Sequence, residues 1–215
     1  MKPYFIKTPS LIKFIFKNWI WSFSNKEKVI YLTFDDGPTP EITGWILHQL
    51  KKYNAKATFF CIGKNINNYP DIFKSILNEE HSVGNHTSNH LNGLKTKNGK
   101  YLENILLAEQ QIETYSKPKT QNSKLFRPPY GKLKLSQAKK IRKNNYKIIM
   151  WDILSADFDL SISKEKCLQN VIDKTKNGSI IVFHDSIKAS KNLKFVLPKI
   201  LEYFSAKGFV FKKIE

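Results

Sequence analysis

The sequence predicts an α/β fold, a distorted (β/α) barrel with about seven parallel strands, on three observations. The 215 residues are 41% hydrophobic and 13% aromatic, enough to bury one core. Short apolar runs alternate with helical patterns, as in folds whose parallel strands are joined by helices. No linker or low-complexity segment interrupts this alternation. A doubly wound open sheet is the alternative with the same pattern.

The predicted strands are short and mostly apolar, and amphipathic segments separate them. We expect strands at Val29–Phe34, Ala57–Ile62, His81–Val83, Leu125–Phe126, Lys147–Trp151, Ser179–Phe183 and Phe209–Phe211. We expect helices at Pro40–Tyr53, Tyr69–Glu80, Lys100–Tyr115, Ser136–Asn144, Lys164–Lys174 and Leu193–Ala206. In either fold, chemistry is expected at the carboxyl ends of the strands.

The N-terminal segment differs in character, so we separate residues 1–25, a basic amphipathic extension, from a domain at 26–215. Lysines interrupt any apolar run that could serve as a secretory signal, and no run in the chain is long enough to span a membrane. Leu11–Ile20 fits a basic helix on an anionic membrane surface. The interpretation that we favour is an aromatic cap packed on the domain. A cytoplasmic or membrane-peripheral location is the expectation.

The charge is strongly positive, with 36 Lys and Arg against 18 Asp and Glu and a net charge of +18. The lysines are spread along the chain, which favours a solvated surface on a soluble monomer. Peripheral contact with an anionic membrane or wall polymer is the alternative, and no nucleic acid is expected. Only Cys61 and Cys167 are cysteines, which excludes a disulfide framework and a thiolate zinc site.

Two clusters at predicted strand ends indicate a metal site. Asp35 and Asp36 end the first strand in TFDDGP, where two adjacent carboxylates are costly unless a cation or proton joins them. His86 and His90 are four residues apart, which on a helical turn places both on one face. Two histidines and one of the carboxylates suit Zn²⁺, and Co²⁺, Ni²⁺ or Fe²⁺ accept the same ligands.

Three further strand ends carry candidate catalytic groups. Arg127 lies in RPPYG, and a guanidinium can hold a carboxylate through two parallel hydrogen bonds, which lysine cannot do. The adjacent prolines fix this loop, so the backbone N–H of Tyr130 can face a developing oxyanion. His184 ends a predicted strand, where it is placed as a general acid, and Asp157 can orient it.

Together and in this order, these motifs resemble those of the polysaccharide deacetylase family, carbohydrate esterase family 4. The resemblance covers roughly Val29 to Phe211, which implies that residues 26–215 form the catalytic domain. It implies a distorted (β/α) barrel of about seven strands, in agreement with the strand count. Phe158 stands where the family often has tryptophan, so an indole donor near His184 is lost.

The resemblance implies a metal-dependent hydrolase that removes N-acetyl groups from N-acetylglucosamine-containing glycans, such as peptidoglycan or chitooligosaccharides, and releases acetate. An O-deacetylase of the acetylxylan type is the alternative, followed by a non-catalytic basic glycan-binding module. The implied roles are Asp36, His86 and His90 as ligands of a divalent metal, most simply Zn²⁺, Asp35 as base held by Arg127, the Tyr130 amide as oxyanion donor, and His184, tuned by Asp157, as general acid.

Overall fold

A sheet of eight strands forms the centre of the protein, seen in a computed structural model that describes residues 4–24, 26–116 and 124–215. Seven strands follow the order β5-β4-β3-β2-β1-β7-β6, and β8 pairs with the start of β1. The strands are β1 (Val29–Asp35), β2 (Thr58–Cys61), β3 (Ser82–Asn85), β4 (Lys124–Phe126), β5 (Tyr146–Ile148), β6 (Ile153–Leu154), β7 (Ile180–His184) and β8 (Val210–Phe211).

All ladders of this sheet are parallel, and the sheet is strongly curled. In a flat sheet the ends of β4 and β1 would lie about 14 Å apart, three strand spacings. Arg127, which follows β4, nevertheless places Nη1 2.7 Å from Oδ1 of Asp35 at the end of β1. The prediction of a distorted barrel with about seven parallel strands is confirmed, and the open-sheet alternative is not.

Helices connect the strands and cover the outside of the curled sheet. They are α1 (Ser10–Ile15), α2 (Ile42–Lys52), α3 (Gly63–Asn68), α4 (Pro70–Asn78), α5 (Asn98–Tyr115), α6 (Leu135–Lys143), α7 (Lys164–Ile172) and α8 (Ser190–Ala206). The six predicted helices are all present. α3 was not predicted, because its sequence GKNINN contains one apolar residue and therefore no periodicity.

The alternation of side chains along β1 separates the core from the site. Phe34 stacks between Phe59 of β2 and Phe183 of β7, with ring centroids 5.0 Å and 6.0 Å away, and all three pack against the helices. Burying each ring contributes about 1.5–3 kcal/mol. Thr33 and Asp35, the residues on either side of Phe34, point to the opposite face of the strand and into the barrel. Both contact Arg127 there.

The N-terminal segment joins the two open edges of the sheet. Next to β5, the N–H of Ile20 donates to the carbonyl of Ile148 at 2.9 Å, and the N–H of Met150 donates to Ile20 at 2.7 Å. Next to β6, the N–H of Leu154 donates to the carbonyl of Ile6 at 2.9 Å. The segment therefore occupies the gap that β5 and β6 leave between them.

Most aromatic residues of this segment pack on the domain, as the favoured interpretation expected, whereas Phe5 and Phe14 are exposed. Phe16, Trp19 and Trp21 stack in sequence and contribute to a small second core under α5 and α6. The helix predicted for Leu11–Ile20 is shorter than expected and ends at Ile15, because Phe16 leaves the helical conformation. The division of the chain near residue 25 stays a prediction. Within the described ranges, no helix combines the length and the apolarity needed to cross a bilayer.

Candidate active site

The eight predicted site residues lie together at the carboxyl ends of the strands. Asp35 is the last residue of β1 and pairs in register with His184, the last residue of β7. His86 directly follows β3, and Arg127 directly follows β4. Because the strands are parallel, their ends meet at one rim of the barrel. His81 lies elsewhere and has a structural contact, since its Nδ1 accepts the N–H of Ala57 at 3.1 Å.

Arg127 is completely buried and is held on every side. Its Nη1 donates to Oδ1 of Asp35 at 2.7 Å, and its guanidinium lies 4.1 Å from the ring centre of Phe60. Its other hydrogen bonds reach Thr33 Oγ1 at 2.6 Å and the carbonyl oxygens of Met150 at 2.9 Å and Ile149 at 3.2 Å. A buried cation is tolerated only when it is paired and hydrogen-bonded in this way.

The contact between Arg127 and Asp35 differs from the expected pair of parallel bonds. Only one carboxylate oxygen, Oδ1, accepts from the guanidinium, because the remaining donors are taken up by Thr33 and by main-chain carbonyls. Oδ2 of Asp35 receives no hydrogen bond from any residue that the structure describes. One oxygen is therefore fixed by the protein, and the other is available to a bound molecule.

Asp36 turns away from Asp35 toward the two histidines. Its φ of 86° takes the backbone out of the strand conformation and aims the side chain at His86 and His90. Oδ1 of Asp36 lies 3.2 Å from Nε2 of His90 and 3.7 Å from Nε2 of His86. One ligand atom from each of the three residues lies within 4.8 Å of the others.

The spacing of the two histidines predicted a helical turn, but they lie in a loop. The segment after β3 is a loop in which Thr87 and His90 both adopt left-handed backbone conformations, with φ of 63° and 52°. This loop brings the ring centres of His86 and His90 within 5.1 Å. The histidines are thus juxtaposed by irregular backbone, which residue types alone do not reveal.

In both histidines Nδ1 contacts another residue, and Nε2 therefore faces Asp36. Nδ1 of His86 donates to the carbonyl of Arg127 at 2.7 Å, and this leaves the lone pair on Nε2. Burial lowers the pKa of His86 to about 4, so the ring is neutral, as a metal ligand has to be. Nδ1 of His90 lies 3.1 Å from the hydroxyl of Tyr130.

Asp36 carries an unsatisfied oxygen in the middle of this cluster. Its Oδ1 is buried and has no hydrogen-bond partner among the described residues, since His90 lies close without the alignment of a hydrogen bond. Burial raises the pKa of Asp36, but the surrounding imidazoles, His90 foremost, lower it by more, so the carboxylate stays ionised. A carboxylate with a buried, unsatisfied oxygen that faces two imidazoles fits a divalent metal ion.

His184 and Asp157 form a second internal charge pair. Nδ1 of His184 lies 2.7 Å from Oδ1 of Asp157, and Oδ2 of Asp157 accepts the backbone N–H of His184 at 2.8 Å. Burial lowers the pKa of His184, but Asp157 raises it by more, with smaller contributions from Asp36 and Asp35. The pKa stands at about 9. The ring of Phe158 packs against His184 at 5.0 Å, edge to face.

Tyr130 sits on the open side of the rim, in a tight turn at Pro129–Gly131. Its side chain is 60% exposed, and its φ of 60° is left-handed. The backbone N–H of Tyr130 finds no acceptor within the described ranges, as a donor to a bound molecule requires. The contact of its hydroxyl with His90 was not anticipated from the sequence, where only the amide was considered.

Asp185 is a buried site residue to which sequence reasoning assigned no role. Its Oδ1 accepts the N–H of Gly37 at 2.8 Å, and its Oδ2 accepts the hydroxyl of Thr43 at 2.7 Å. A Cβ at position 37 would lie 1.8 Å from Oδ2 of Asp185, so only glycine fits there. Asp185 therefore holds the turn that carries Asp36. The signal was its position directly after His184 at a strand end.

Comparison with known proteins agrees with this geometry. The family model for polysaccharide deacetylase matches residues 23–149. A peptidoglycan-N-acetylglucosamine deacetylase of Bacillus cereus is 33% identical over 192 residues, which cover 89% of this chain and 88% of that one. A chitooligosaccharide deacetylase of Azorhizobium caulinodans is 30% identical over 162 residues, covering 75% and 76%.

A solved structure is similar over nearly its whole length. It is a peptidoglycan N-acetylglucosamine deacetylase in complex with a naphthalenyl N-oxidanyl-benzamide, and it superimposes with a TM-score of 0.87 at 32% identity. The alignment covers 96% of this chain and 95% of that one. The chain therefore belongs to the polysaccharide deacetylase family, carbohydrate esterase family 4, and is a hydrolase that acts on linear amides.

Proposed function

We propose that this protein is a metal-dependent N-deacetylase of N-acetylglucosamine-containing glycans, such as peptidoglycan or chitooligosaccharides, and that it releases acetate. One observation carries the proposal. The cluster of Asp36, His86 and His90, with its unsatisfied buried oxygen, lies at the same rim as two neighbouring groups suited to proton transfer, Asp35 and His184. Related proteins named for deacetylation of these glycans support the substrate class.

Asp36, His86 and His90 would hold the divalent ion. Two imidazole nitrogens and one carboxylate oxygen suit Zn²⁺, and Co²⁺ or Ni²⁺ accept the same donors. When bound, such an ion supplies Lewis-acid polarisation of the acetamide carbonyl and a lowered pKa for a nearby water molecule. The hydrogen bond from His86 to the carbonyl of Arg127 fixes the ligand tautomer before any ion arrives.

Asp35 acts as the general base in this proposal. Arg127 fixes Oδ1, and Oδ2 lacks a protein donor, so Oδ2 is the atom that accepts the proton of the attacking water. The buried guanidinium keeps the carboxylate in place and supplies the positive charge that a buried anion requires. As the water loses its proton to Asp35, its oxygen forms a bond to the acetamide carbon.

Proton delivery to the leaving group is assigned to His184. Its Nδ1–H is held by Asp157, so the proton on Nε2 is the one that faces the rim. A pKa of about 9 keeps the imidazole protonated near neutral pH. When the C–N bond breaks, the departing amine takes the proton from Nε2 and leaves as the free amino sugar, while the acetyl group leaves as acetate.

The oxyanion that forms during attack needs a donor that is already in place. The backbone N–H of Tyr130 is unpaired, and the turn at Pro129–Gly131 holds it at the rim, which supports this role. The rival of a non-catalytic basic module requires at least one missing catalytic group. All eight residues are present and lie at one rim, which argues against that rival.

Acetate release from a substrate panel tests the proposal. Purified protein is given N-acetylated chitooligosaccharides, peptidoglycan and acetylxylan, with Zn²⁺ or Co²⁺ or with a chelator. We expect metal-dependent acetate release from the N-acetylated glycans. Release from acetylxylan alone would select the O-deacetylase alternative, and release unaffected by the chelator would contradict the metal site. Asp35→Asn, with its folding checked by circular dichroism, serves as the inactive control.

A further inference from the structure

The short helix α1 turns an apolar face toward solvent. Leu11, Phe14 and Ile15, three and four residues apart, are 67%, 75% and 61% exposed, and we call them the apolar patch. Ile12, on another side of α1, and Phe16, directly after the helix, pack against the second core. Single exposed apolar residues are ordinary, but three contiguous large ones on one face are typical of a contact surface.

Helix α6 presents a strongly basic face beside the same core. Its inward residues include Ala138 and Ile141, which belong to the core cluster that Ile12 and Phe16 contact. Its outward side carries what we call the basic face, which consists of Lys139, Lys140, Arg142 and Lys143. The apolar patch and the basic face therefore belong to two helices that pack on one small core.

No acidic side chain offsets this charge locally in the sequence. The chain has no Asp or Glu between Glu113 and Asp152, and none before Glu27. Asp152 itself lies next to α1, but Lys7 and Lys13 both pair with its carboxylate, Lys7 at 2.6 Å. Residues 1–26 and 114–151 thus carry lysines without any carboxylate, and these two stretches of sequence include the apolar patch and the basic face.

We propose that the apolar patch and the basic face together dock the protein on an anionic lipid bilayer. The patch enters the boundary between headgroups and acyl chains, and the cations of α6 lie against lipid phosphates. A hydrated anionic polymer would match the lysines but would give Leu11, Phe14 and Ile15 nothing to contact. The combination of both features therefore favours a lipid surface over a wall polymer.

Vesicle co-sedimentation tests this docking. The whole protein is mixed with phosphatidylcholine vesicles that contain or lack phosphatidylglycerol, at low and at raised salt. We expect binding only to the anionic vesicles, weakened by salt. The double variant Leu11→Ser/Phe14→Ser should lower the partition coefficient by about tenfold or more, because the apolar contact is lost. Lys139→Gln/Lys143→Gln should lower it by about tenfold as well.

Matched controls separate this face from the overall positive charge. Leu106→Ser/Leu107→Ser removes two exposed leucines from α5, and Lys191→Gln/Lys194→Gln removes two exposed lysines from α8. Both controls should bind vesicles like the parent, and circular dichroism melts check that every variant is folded. Equal losses in controls and test variants would overturn the proposal. So would capture by soluble polyglutamate with no vesicle binding, which would select a polymer instead.

Discussion

Asp35 and Asp36 are neighbours in the chain, but the protein treats their carboxylates in opposite ways. Asp35 ends β1 in register and has one oxygen tied to the buried guanidinium of Arg127 at 2.7 Å. Asp36 leaves the strand with a φ of 86° and presents a buried oxygen without a hydrogen-bond partner among the described residues. The chain itself fixes one oxygen of the Asp35 carboxylate, whereas the buried oxygen of Asp36 is left for a ligand from outside.

The same division extends across the site. His184 resembles Asp35 in that a buried partner, Asp157, fixes one side of it and leaves the other side toward the rim. The two groups proposed to transfer protons are thus positioned by internal charge pairs. The two histidines proposed to hold a metal ion are positioned by contacts of their Nδ1 atoms. A lost internal partner should therefore affect stability and proton transfer, whereas a lost ligand should affect metal affinity.

The largest effects are expected when each of the two carboxylates is removed in turn. Asp36→Ala should abolish tight binding of Zn²⁺ or Co²⁺ in titration calorimetry, and with it acetate release. Asp35→Asn should retain the metal and lower kcat by about 10²–10⁴-fold, the range for a lost general base. If Asp35→Asn lost the metal, or if Asp36→Ala bound it normally, the assignment of Asp36 as metal ligand and Asp35 as base would be wrong.

The next effect concerns the internal pair at Asp35. Arg127→Met leaves a buried carboxylate without its cation, and we expect it to lower the free energy of unfolding by about 3–5 kcal/mol. Arg142→Met removes an exposed arginine of α6 and should stay within about 0.5 kcal/mol of the parent. Urea unfolding measures both. A similar loss in the two variants would mean that the buried pair is not special.

A smaller effect concerns His184 and pH. Deacetylation should fall as pH rises through about 9, where the imidazole loses the proton that it donates. Because this pKa is raised above the usual value for histidine, the pair also adds stability that is complete below about pH 6.5 and lost through about pH 9.

Asp157→Asn tests whether His184 causes the fall in activity at high pH, the alkaline limb of the pH profile. Removing the carboxylate that raises the pKa should move the alkaline limb of kcat/KM to lower pH, since burial then dominates. If the pKa falls by one unit from about 9, the activity ratio of variant to parent should be about tenfold lower at pH 10 than at pH 6. An unmoved limb would assign the ionisation to another group.

The smallest effect is expected at Tyr130. Tyr130→Phe removes the hydroxyl that lies 3.1 Å from Nδ1 of His90, so metal affinity should fall by about tenfold, the lower end for such partners. The backbone N–H remains, and kcat at saturating metal should therefore be unchanged. Tyr69→Phe, at a partly exposed tyrosine away from the site, is the control. A fall in kcat would instead give the hydroxyl a part in the reaction.

Much of the fold and of the site rim could be predicted from the sequence. Apolar runs indicate the strands, and chemically reactive polar residues at the ends of those strands indicate a site. What escaped prediction depends on backbone irregularity. The predicted strand Lys147–Trp151 ends early, at Ile148, and the short strand β6 (Ile153–Leu154), which pairs with β7, was not predicted. Asp and His adopt left-handed conformations more often than most residues, but residue type alone does not indicate that Asp36 and His90 do so here.

Long-range partners were equally invisible. Asp185 supports Gly37 across 148 residues of sequence, and neither motif alone indicates the other. The second hydrogen bond expected between Arg127 and Asp35 goes to Thr33 instead, because the curl of the barrel sets which acceptors surround the guanidinium. Motif reading identifies the residues of such a site, but only the fold decides which atom of each is occupied.

The N-terminal segment has a consequence for the order in which the chain acquires its structure. The ribosome synthesises its partners near β5 and β6 much later. Lys7 contacts Asp152, which is 145 residues further along the chain, and Thr8 contacts Trp151, which is 143 residues further. Contacts of such separation form late in folding. Until they form, both edges of the nascent sheet carry unpaired main-chain groups, which invite pairing with other chains. The yield of correctly folded protein should therefore depend on this segment more than its size suggests.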